Sequence, residues 1–139
     1  MADPASQDCT FCKIVAREVP ATIVDEDERT IAFMDIQPAS RGHALVIPRA
    51  HATDVHTISD EDLAAVAVAA KRLAAKVCDN LGADGVNLLN SSGAVAWQTV
   101  FHFHVHVIPR YAGDPLRLPW VPAAGDMDAI AAAGAELAR

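Results

Sequence analysis

The chain has 139 residues, of which 52% are hydrophobic, and it carries a net charge of −7 at pH 7. Because this length suffices for one packed core and hardly for two, residues 1–139 are predicted to form a single domain. The acidic balance argues against binding nucleic acid, whose phosphate backbone requires clustered Lys and Arg. No apolar run approaches the roughly 18 to 20 residues that span a bilayer, and MADPASQDCT lacks the features of a signal peptide, so a cytoplasmic protein without membrane contact is expected.

The first part of the chain predicts a short helix and three strands. CTFCKIVAREV has apolar residues at helical spacing and is followed by Pro20, which ends the helix. ATIVDED and RTIAFMDI are rich in β-branched residues and predict a hairpin that turns at the acidic DEDE. After the loop QPASRG, the apolar stretch HALVIP predicts a third strand that Pro48 closes.

The second part predicts one long helix, two further strands and a tail. Ser59 and Asp62 match a capping box, the apolar pattern continues to Leu81, and Gly82 is a typical stop. DGVNLL predicts the fourth strand, NSSGAVAWQT a loop, and FHFHVHVIPR the fifth strand. YAGDPLRLPWVPAAG reads as an irregular tail and DMDAIAAAGAELAR as a final helix. This order favours an α+β fold with an antiparallel sheet.

Three histidines occupy alternate positions of the predicted fifth strand: His102, His104 and His106. On a strand they would share one face, while the intervening apolar residues (Phe103, Val105 and Val107) face the core. The imidazoles would then point together toward solvent, a cleft or a ligand, and ordinary surface histidines are the simplest alternative. A single zinc site on all three is disfavoured, because the outer Cα atoms would lie about 13 Å apart. We therefore expect the rings to divide the roles of nucleophile, proton donor and orienting group.

Two of the three cysteines, Cys9 and Cys12, form a C-x-x-C pair near the start of the predicted first helix. In a cytoplasmic protein such a pair is not expected to be a structural disulfide. The spacing suits either a zinc site or a redox site, and the sequence pattern alone leaves both open.

The motif HFHVHVI resembles the H-φ-H-φ-H-φ-φ signature, with φ an apolar residue, of the histidine triad (HIT) superfamily of nucleotide hydrolases and transferases. CTFCKIVAREVPA, AFMDIQPASRGHALVIPRAH, GVNLL and WQTVFHFHVHVIPRY also resemble successive blocks of the Hint-like branch, in the right order. The resemblance covers roughly residues 9–111 and leaves 112–139 as a tail. It implies a homodimer, each subunit having a five-stranded antiparallel sheet, one long helix and short flanking helices, with a purine nucleotide bound near the triad.

The resemblance also implies a role for each matching residue. His104 would attack the α-phosphorus to give a nucleotidyl-histidine intermediate, His106 would contact phosphate and leaving group as a protonated imidazole, and His43 would support the triad from the adjacent strand. The expected substrate contacts are Phe11 and Ile14 at the base, Asp35 and Ile36 at the ribose, and Ser91, Gln98 and Thr99 around the phosphate and leaving group. Asp35 is also a standard turn residue, and the segment at Gln98 also reads as an ordinary polar turn.

Two residues depart from the resemblance. Ser91 stands where the family usually has Asn or Gln, and Trp97 replaces a common glycine. Both put the shape of the leaving-group pocket in question. Some family members hold structural zinc through a cysteine pair and two histidines, and the matching set here is Cys9, Cys12, His51 and His102. That zinc would close a tetrahedral shell and would not activate water.

The resulting prediction is a hydrolase that releases a nucleoside monophosphate from a purine nucleoside 5′-phosphoramidate or an adenylated compound. A dinucleoside polyphosphate hydrolase or phosphorylase is the nearest alternative, because it uses the same nucleophile with a different leaving group. A nucleotide-binding interaction module with vestigial catalysis is the alternative from another class.

Overall fold

The computed structural model describes residues 7–139. Its elements in chain order are α1 (Thr10–Val15), β1 (Ile23–Glu26), β2 (Thr30–Met34), β3 (Ala44–Pro48), α2 (Asp60–Leu81), β4 (Gly85–Leu89), a 3₁₀ turn (Ala94–Ala96), β5 (Val105–Arg110) and α3 (Met127–Leu137). Residues 1–6 lie outside the described part, so the interpretation of the N-terminal segment and the domain range 1–139 both stay predictions.

The five strands form one antiparallel sheet in the order β1-β2-β3-β5-β4. The hairpin predicted at the acidic turn joins β1 to β2, where the Asp27 carboxylate accepts from the backbone N–H groups of Arg29 and Thr30. The predicted α+β class, with one long helix and short flanking helices, is confirmed. In the single chain β4 is an edge strand, and its Leu88 and Leu89 are exposed.

Both faces of the central strands are buried because side chains alternate along a strand. Ala44 and Val46 of β3 face α2 and pack in a cluster with Val66, Leu73, Phe103 and Val107. Leu45 and Ile47 face the opposite side and pack with Phe11 and Ile14 of α1 and with Ile31 and Phe33 of β2. The sheet thus separates α2 on one face from α1 on the other, and the residues that surround the histidines lie on the α1 side.

The long helix α2 begins and ends where the sequence predicts. The Ser59 hydroxyl accepts the N–H of Asp62 at 3.1 Å, a cap that stabilises a helix by about 1 kcal/mol. Gly82 has a φ of 71°, and its N–H donates to the carbonyl of Cys78. Both ends are therefore set by local chemistry.

Helix α1 is shorter than predicted and stops at Val15 instead of running to Pro20. Arg17 takes a left-handed φ of 63°, and the N–H of Glu18 then donates to the carbonyl of Lys13 at 2.9 Å. This pattern closes a helix from within, although no glycine marks it in the sequence.

The fifth strand is also shorter than predicted, since it begins at Val105 and excludes His102 and His104. Ahead of it, the N–H of Phe103 donates to the carbonyl of Ala52 at 2.6 Å, outside any strand ladder. His102 is completely buried, His104 is only 5% exposed, and neither belongs to β5, so the expectation that all three imidazoles lie on one strand is wrong. The rings of His102 and His104 both contact Phe11, and the rings of His104 and His106 contact each other, so the three imidazoles still lie on the α1 side of the sheet. Of the three, only His106 lies within β5.

After β5 the chain is anchored by Arg110, which makes a two-pronged ion pair with Asp114 and donates to Asn87. The tail then runs to α3, whose residues are exposed along its whole length. Among residues 7–139, no helix combines the length and apolar character needed to cross a membrane.

Candidate active site

A cleft of about 380 Å³ opens on the α1 side of the sheet. Among its lining residues are five of the predicted substrate contacts and two of the triad histidines: Phe11, Ile14, Asp35, Ile36, Thr99, His104 and His106. The structure therefore brings seven of the ten predicted catalytic and substrate-contact residues together around one cavity. The sequence interpretation did not single out Thr10, Leu45 or Val100, which also line it, because they carry no chemical signature of their own.

His104 is held in a single tautomer by the backbone. Its Nδ1 lies 2.7 Å from the carbonyl oxygen of His102, which can only accept, so Nδ1 carries the proton. Nε2 is then left with its lone pair. Burial lowers the pKa of His104, although the bond to His102 and the charge of Asp35 act in the opposite direction. The ring is therefore neutral at pH 7, with an unprotonated nitrogen available as a nucleophile.

His106 is oriented by a chain of hydrogen bonds that begins at a backbone amide. The N–H of Ala39 donates to Nδ1 of His43 at 2.9 Å, so the proton of His43 lies on Nε2. That Nε2 lies 2.9 Å from Nδ1 of His106 and donates to it. The proton of His106 is therefore on its own Nε2. His43, directly before β3, thus orients the ring of His106.

The surroundings of His106 disfavour the charge that was expected on its ring. Burial, together with the neighbouring His104 and His43, lowers the pKa of His106 to about 4, and Asp35 offsets only part of this effect. Burial lowers the pKa of His43 as well. His106 is consequently a neutral Nε2–H donor at pH 7 instead of an imidazolium.

Asp35 closes this group from the end of β2. Its Oδ1 accepts the N–H of Gln37 at 2.7 Å, and its Oδ2 lies 3.4 Å from Nε2 of His43 and 3.9 Å from Nδ1 of His106. Asp35, His43 and His106 are close enough to be considered as metal ligands. We interpret them as a hydrogen-bonded group instead. The amide of Ala39 occupies Nδ1 of His43, so Nε2 of His43 carries the proton and has no lone pair for a metal.

A second cluster lies beside the first and contains the predicted zinc ligands Cys9, Cys12, His51 and His102, whose ligand atoms all fall within 4.8 Å of one another. Nδ1 of His102 is 3.4 Å from both sulfurs, and Nδ1 of His51 is 3.3 Å from the sulfur of Cys12. Tetrahedral zinc with bonds near 2.3 Å to sulfur and 2.0–2.1 Å to nitrogen places such atoms about 3.5 Å apart. The set therefore fits a Cys₂His₂ zinc site.

The ring of His102 is prepared for such a role by its other nitrogen. Nε2 donates to the carbonyl of Pro48 at 2.8 Å, which leaves the Nδ1 lone pair directed at the sulfurs. Burial is the main cause that lowers the pKa of His102 to about 4, so the ring is neutral, as a metal ligand must be.

Gln98 and Ser91 are not brought to the cleft. The Gln98 side chain is buried and fully engaged, since Oε1 accepts from Gly93 at 2.7 Å and Nε2 donates to the carbonyls of Thr53 and Val100. This side chain holds the loop before β5 in place. Ser91 is buried and does not line the cavity. A role for either side chain at phosphate stays a prediction, whereas Thr99 does line the cleft.

The HIT domain model matches residues 16–113, which is most of the chain. The chain belongs to the HIT family. The protein hit of Bacillus subtilis is 40% identical over 122 residues, which cover 87% of this chain and 84% of that protein. The adenosine 5′-monophosphoramidase HNT1 of Saccharomyces cerevisiae is 42% identical over 112 residues, covering 79% and 68%.

Solved structures agree with this HIT assignment. A crystal structure of a HIT family member from Bacillus subtilis superposes with a TM-score of 0.87 at 36% identity and covers 94% of this chain and 95% of its own. A Zn-bound histidine triad family protein from Mycobacterium smegmatis gives a TM-score of 0.78 at 38% identity and covers 96% and 99%.

Asn90 is a residue of this HIT protein that the sequence interpretation missed. Its Nδ2 donates to the carbonyl of His104 at 2.9 Å, which fixes the backbone beside the candidate nucleophile. The sequence gives a signal only in retrospect: a polar residue directly after the edge strand β4 lies next to β5 in the sheet.

The backbone conformation of Trp97 explains why a glycine is expected at this position. Its φ is 77°, in the left-handed region that glycine adopts without a steric penalty, so a glycine is the ordinary choice at this position. The side chain is 62% exposed and is not part of the cavity lining. This HIT protein therefore accepts local strain to place a tryptophan one residue ahead of Gln98.

Proposed function

We propose that this HIT protein is a nucleotide hydrolase that cleaves a purine nucleoside 5′-phosphoramidate, or a related adenylated compound, to a nucleoside monophosphate. The observation that carries the proposal is the fixed tautomer of His104, whose Nδ1–H is bonded to the carbonyl of His102 while its unprotonated Nε2 belongs to a ring that lines the cleft. Relatives named adenosine 5′-monophosphoramidase, at 42% identity, support this substrate class.

In the first step, Nε2 of His104 forms a bond to the α-phosphorus while the bond from phosphorus to the leaving nitrogen breaks. The leaving nitrogen takes the Nε2 proton of His106, which then carries a negative charge until the second step. The hydrogen bond that His43 donates to Nδ1 stabilises this charge. The imidazole of His104 becomes cationic once it carries phosphorus, and the carbonyl of His102 accepts its Nδ1–H throughout.

In the second step, water attacks phosphorus, the bond from phosphorus to His104 breaks, and a proton of the water returns to Nε2 of His106. Both histidines are thereby restored and no further reactant is needed. The apolar wall formed by Phe11 and Ile14 suits a purine ring, and the Asp35 carboxylate is able to accept hydrogen bonds from ribose hydroxyls.

Comparing substrates tests the proposal. Adenosine 5′-phosphoramidate should be turned over faster than diadenosine polyphosphates, and His104→Ala should lower kcat by about 1,000-fold or more without loss of AMP binding. Faster cleavage of a diadenosine polyphosphate would favour the alternative hydrolase. Negligible turnover of both compounds by the unmutated protein, with AMP still bound, would favour the interaction module.

We further propose that Cys9, Cys12, His51 and His102 hold structural zinc, which would supply no chemistry to the reaction and would connect α1 to the segments around β3 and β5. The sulfur to nitrogen distances of 3.3–3.4 Å and the Zn-bound relative support this. Elemental analysis of protein purified without added metal should give close to one zinc per chain. A content below a few tenths of an ion would contradict it.

A homodimer is proposed as the working form. The edge strand β4, with its exposed Leu88 and Leu89, offers unpaired backbone groups and an apolar surface to a second copy. Sedimentation analysis should give twice the mass of the 139-residue chain, and Leu88→Lys should shift the equilibrium toward monomer. A cytoplasmic location stays a prediction.

A further inference from the structure

The peptide unit between His102 and Phe103 lies at the junction of the two clusters. Its carbonyl oxygen, from His102, accepts the Nδ1–H of His104 at 2.7 Å. Its N–H, from Phe103, donates to the carbonyl of Ala52 at 2.6 Å. Because one peptide plane carries both groups, any rotation of this unit weakens both bonds together.

No strand ladder holds this peptide unit, since β5 begins only at Val105. It is held from its flanks, and each flank ends at a residue of the Cys₂His₂ cluster. On one side is the ring of His102, with its Nδ1 at 3.4 Å from both sulfurs. On the other is Ala52, the neighbour of His51 in the chain. Two of the four candidate ligands thus bracket the carbonyl that fixes the nucleophile.

We propose that His102 is a positioning residue that couples the Cys₂His₂ cluster to the nucleophile: the carbonyl of Pro48 holds one edge of its ring, and a bound metal on its Nδ1 and on His51 supplies the remaining restraint that keeps its carbonyl on the Nδ1–H of His104. The cluster then does more than connect α1 to the sheet, because the fraction of clusters that hold a metal sets the fraction of His104 rings that have an unprotonated Nε2. This inference rests on the proposed function for its kinetic consequence but not for its structural one.

The structural consequence is testable by NMR at one fixed pH. The chain has six histidines, so long-range ¹H–¹⁵N spectra can be assigned by single substitutions. In protein loaded with Zn²⁺, His104 should be entirely the Nδ1–H tautomer, with a slowly exchanging, strongly downfield Nδ1 proton. Removing Zn²⁺ with a chelator should give a mixture of tautomers, and adding Zn²⁺ back should restore the single form.

The kinetic consequence separates positioning from a merely structural role. His51→Gln removes a ligand that lies outside the cleft, so kcat should fall by about tenfold or more while KM changes by less than about threefold. Cys12→Ser should behave similarly toward kcat but is allowed a larger change in KM, because α1 also forms a wall of the cleft. Cys78→Ser, a cysteine outside the cluster, is the matched control and should leave the metal content, the tautomer and kcat unchanged.

The outcomes are distinct. The coupling is wrong if the metal-free protein, folded by circular dichroism, keeps the pure Nδ1–H tautomer of His104 and a kcat within about twofold of the loaded protein. If stripping unfolds the chain, His51→Gln loaded with Zn²⁺ on its three remaining ligands supplies the answer, with a mixed tautomer expected. If no nucleotide substrate is turned over in either state, the proposed function fails while the tautomer still decides the coupling.

Discussion

The left-handed backbone of Trp97 predicts that glycine is more stable than alanine at this position, the reverse of the usual order. At an ordinary position with negative φ, glycine is less stabilising than alanine by about 0.5–1 kcal/mol, because it loses more backbone entropy on folding. At Trp97, with a φ of 77°, a residue with a Cβ is strained by about 1–2 kcal/mol, and glycine is not.

Subtracting the middle values of these ranges predicts that Trp97→Gly is more stable than Trp97→Ala by about 0.75 kcal/mol. The comparison is clean because both variants lose the same indole contacts. Val95 supplies the matched control: it lies two residues earlier, is fully exposed and does not have a positive φ. There the order should reverse, with Val95→Ala more stable than Val95→Gly.

Urea denaturation measures both pairs. With a slope of roughly 1–3 kcal/mol per molar urea, the midpoints within each pair should differ by a few tenths molar and in opposite directions. If Trp97→Ala is as stable as Trp97→Gly, or more stable, the strain assigned to this backbone position does not exist. The glycine that the resemblance implies at this position would then need another reason.

Three further predictions concern the residues around the triad. The pKa of His106 is about 4 in the folded protein and near 6.5 in the unfolded chain, so protons bind the unfolded state more tightly and the free energy of unfolding should fall as the pH drops from about 6.5 to about 4. In urea titrations at several pH values, His106→Asn should show a smaller fall than the unmutated protein. An equal fall in both proteins would contradict this assignment. Asn90→Ala should cost about 1 kcal/mol and lower kcat, because the carbonyl of His104 loses its donor; unchanged kcat would remove Asn90 from the positioning group. Gln98→Ala should lower the free energy of unfolding, measured in urea, by at least about 2 kcal/mol. Gln98→Glu keeps the acceptor but loses both donors, so it should restore only part of this stability. Full restoration would show that the bonds to Thr53 and Val100 are dispensable.

Local chemistry made part of the fold predictable. Ser59 and Gly82 carry the signals for both ends of α2, and the acidic turn at Asp27 carries the signal for the first hairpin. The apolar run HALVIP likewise carries the signal for β3, all five residues of which are buried. These features depend on neighbours in the sequence, so the sequence alone contains them.

The start of β5 was not predictable in this way. Whether His102 belongs to a strand depends on the bond from Phe103 to Ala52, which joins residues far apart in the sequence. The burial of His102 has the same origin, because its partners come from α1 and from β3. Long-range contacts therefore decided what the alternating pattern could not.

The candidate site likewise has features that sequence motifs predict and features that only long-range contacts determine. The triad, the cysteine pair and the cleft residues carry recognisable motifs, and the structure places them together. The tautomers of His43 and His106 follow from the hydrogen bond that the Ala39 amide donates to His43, a contact that no sequence motif marks. Gln98 shows the reverse case: the motif suggests a phosphate contact, whereas its hydrogen bonds are directed into the protein.

The most direct test of the account is to trap the covalent intermediate. A slowly hydrolysed adenylated substrate, mixed with the protein and quenched in alkali within milliseconds, should leave one adenylyl group per active chain, and peptide mass spectrometry should locate it on His104. An adduct on His106, on His43 or on a cysteine, or steady turnover by the His104→Ala variant, would contradict the claim that the neutral Nε2 of His104 attacks phosphorus.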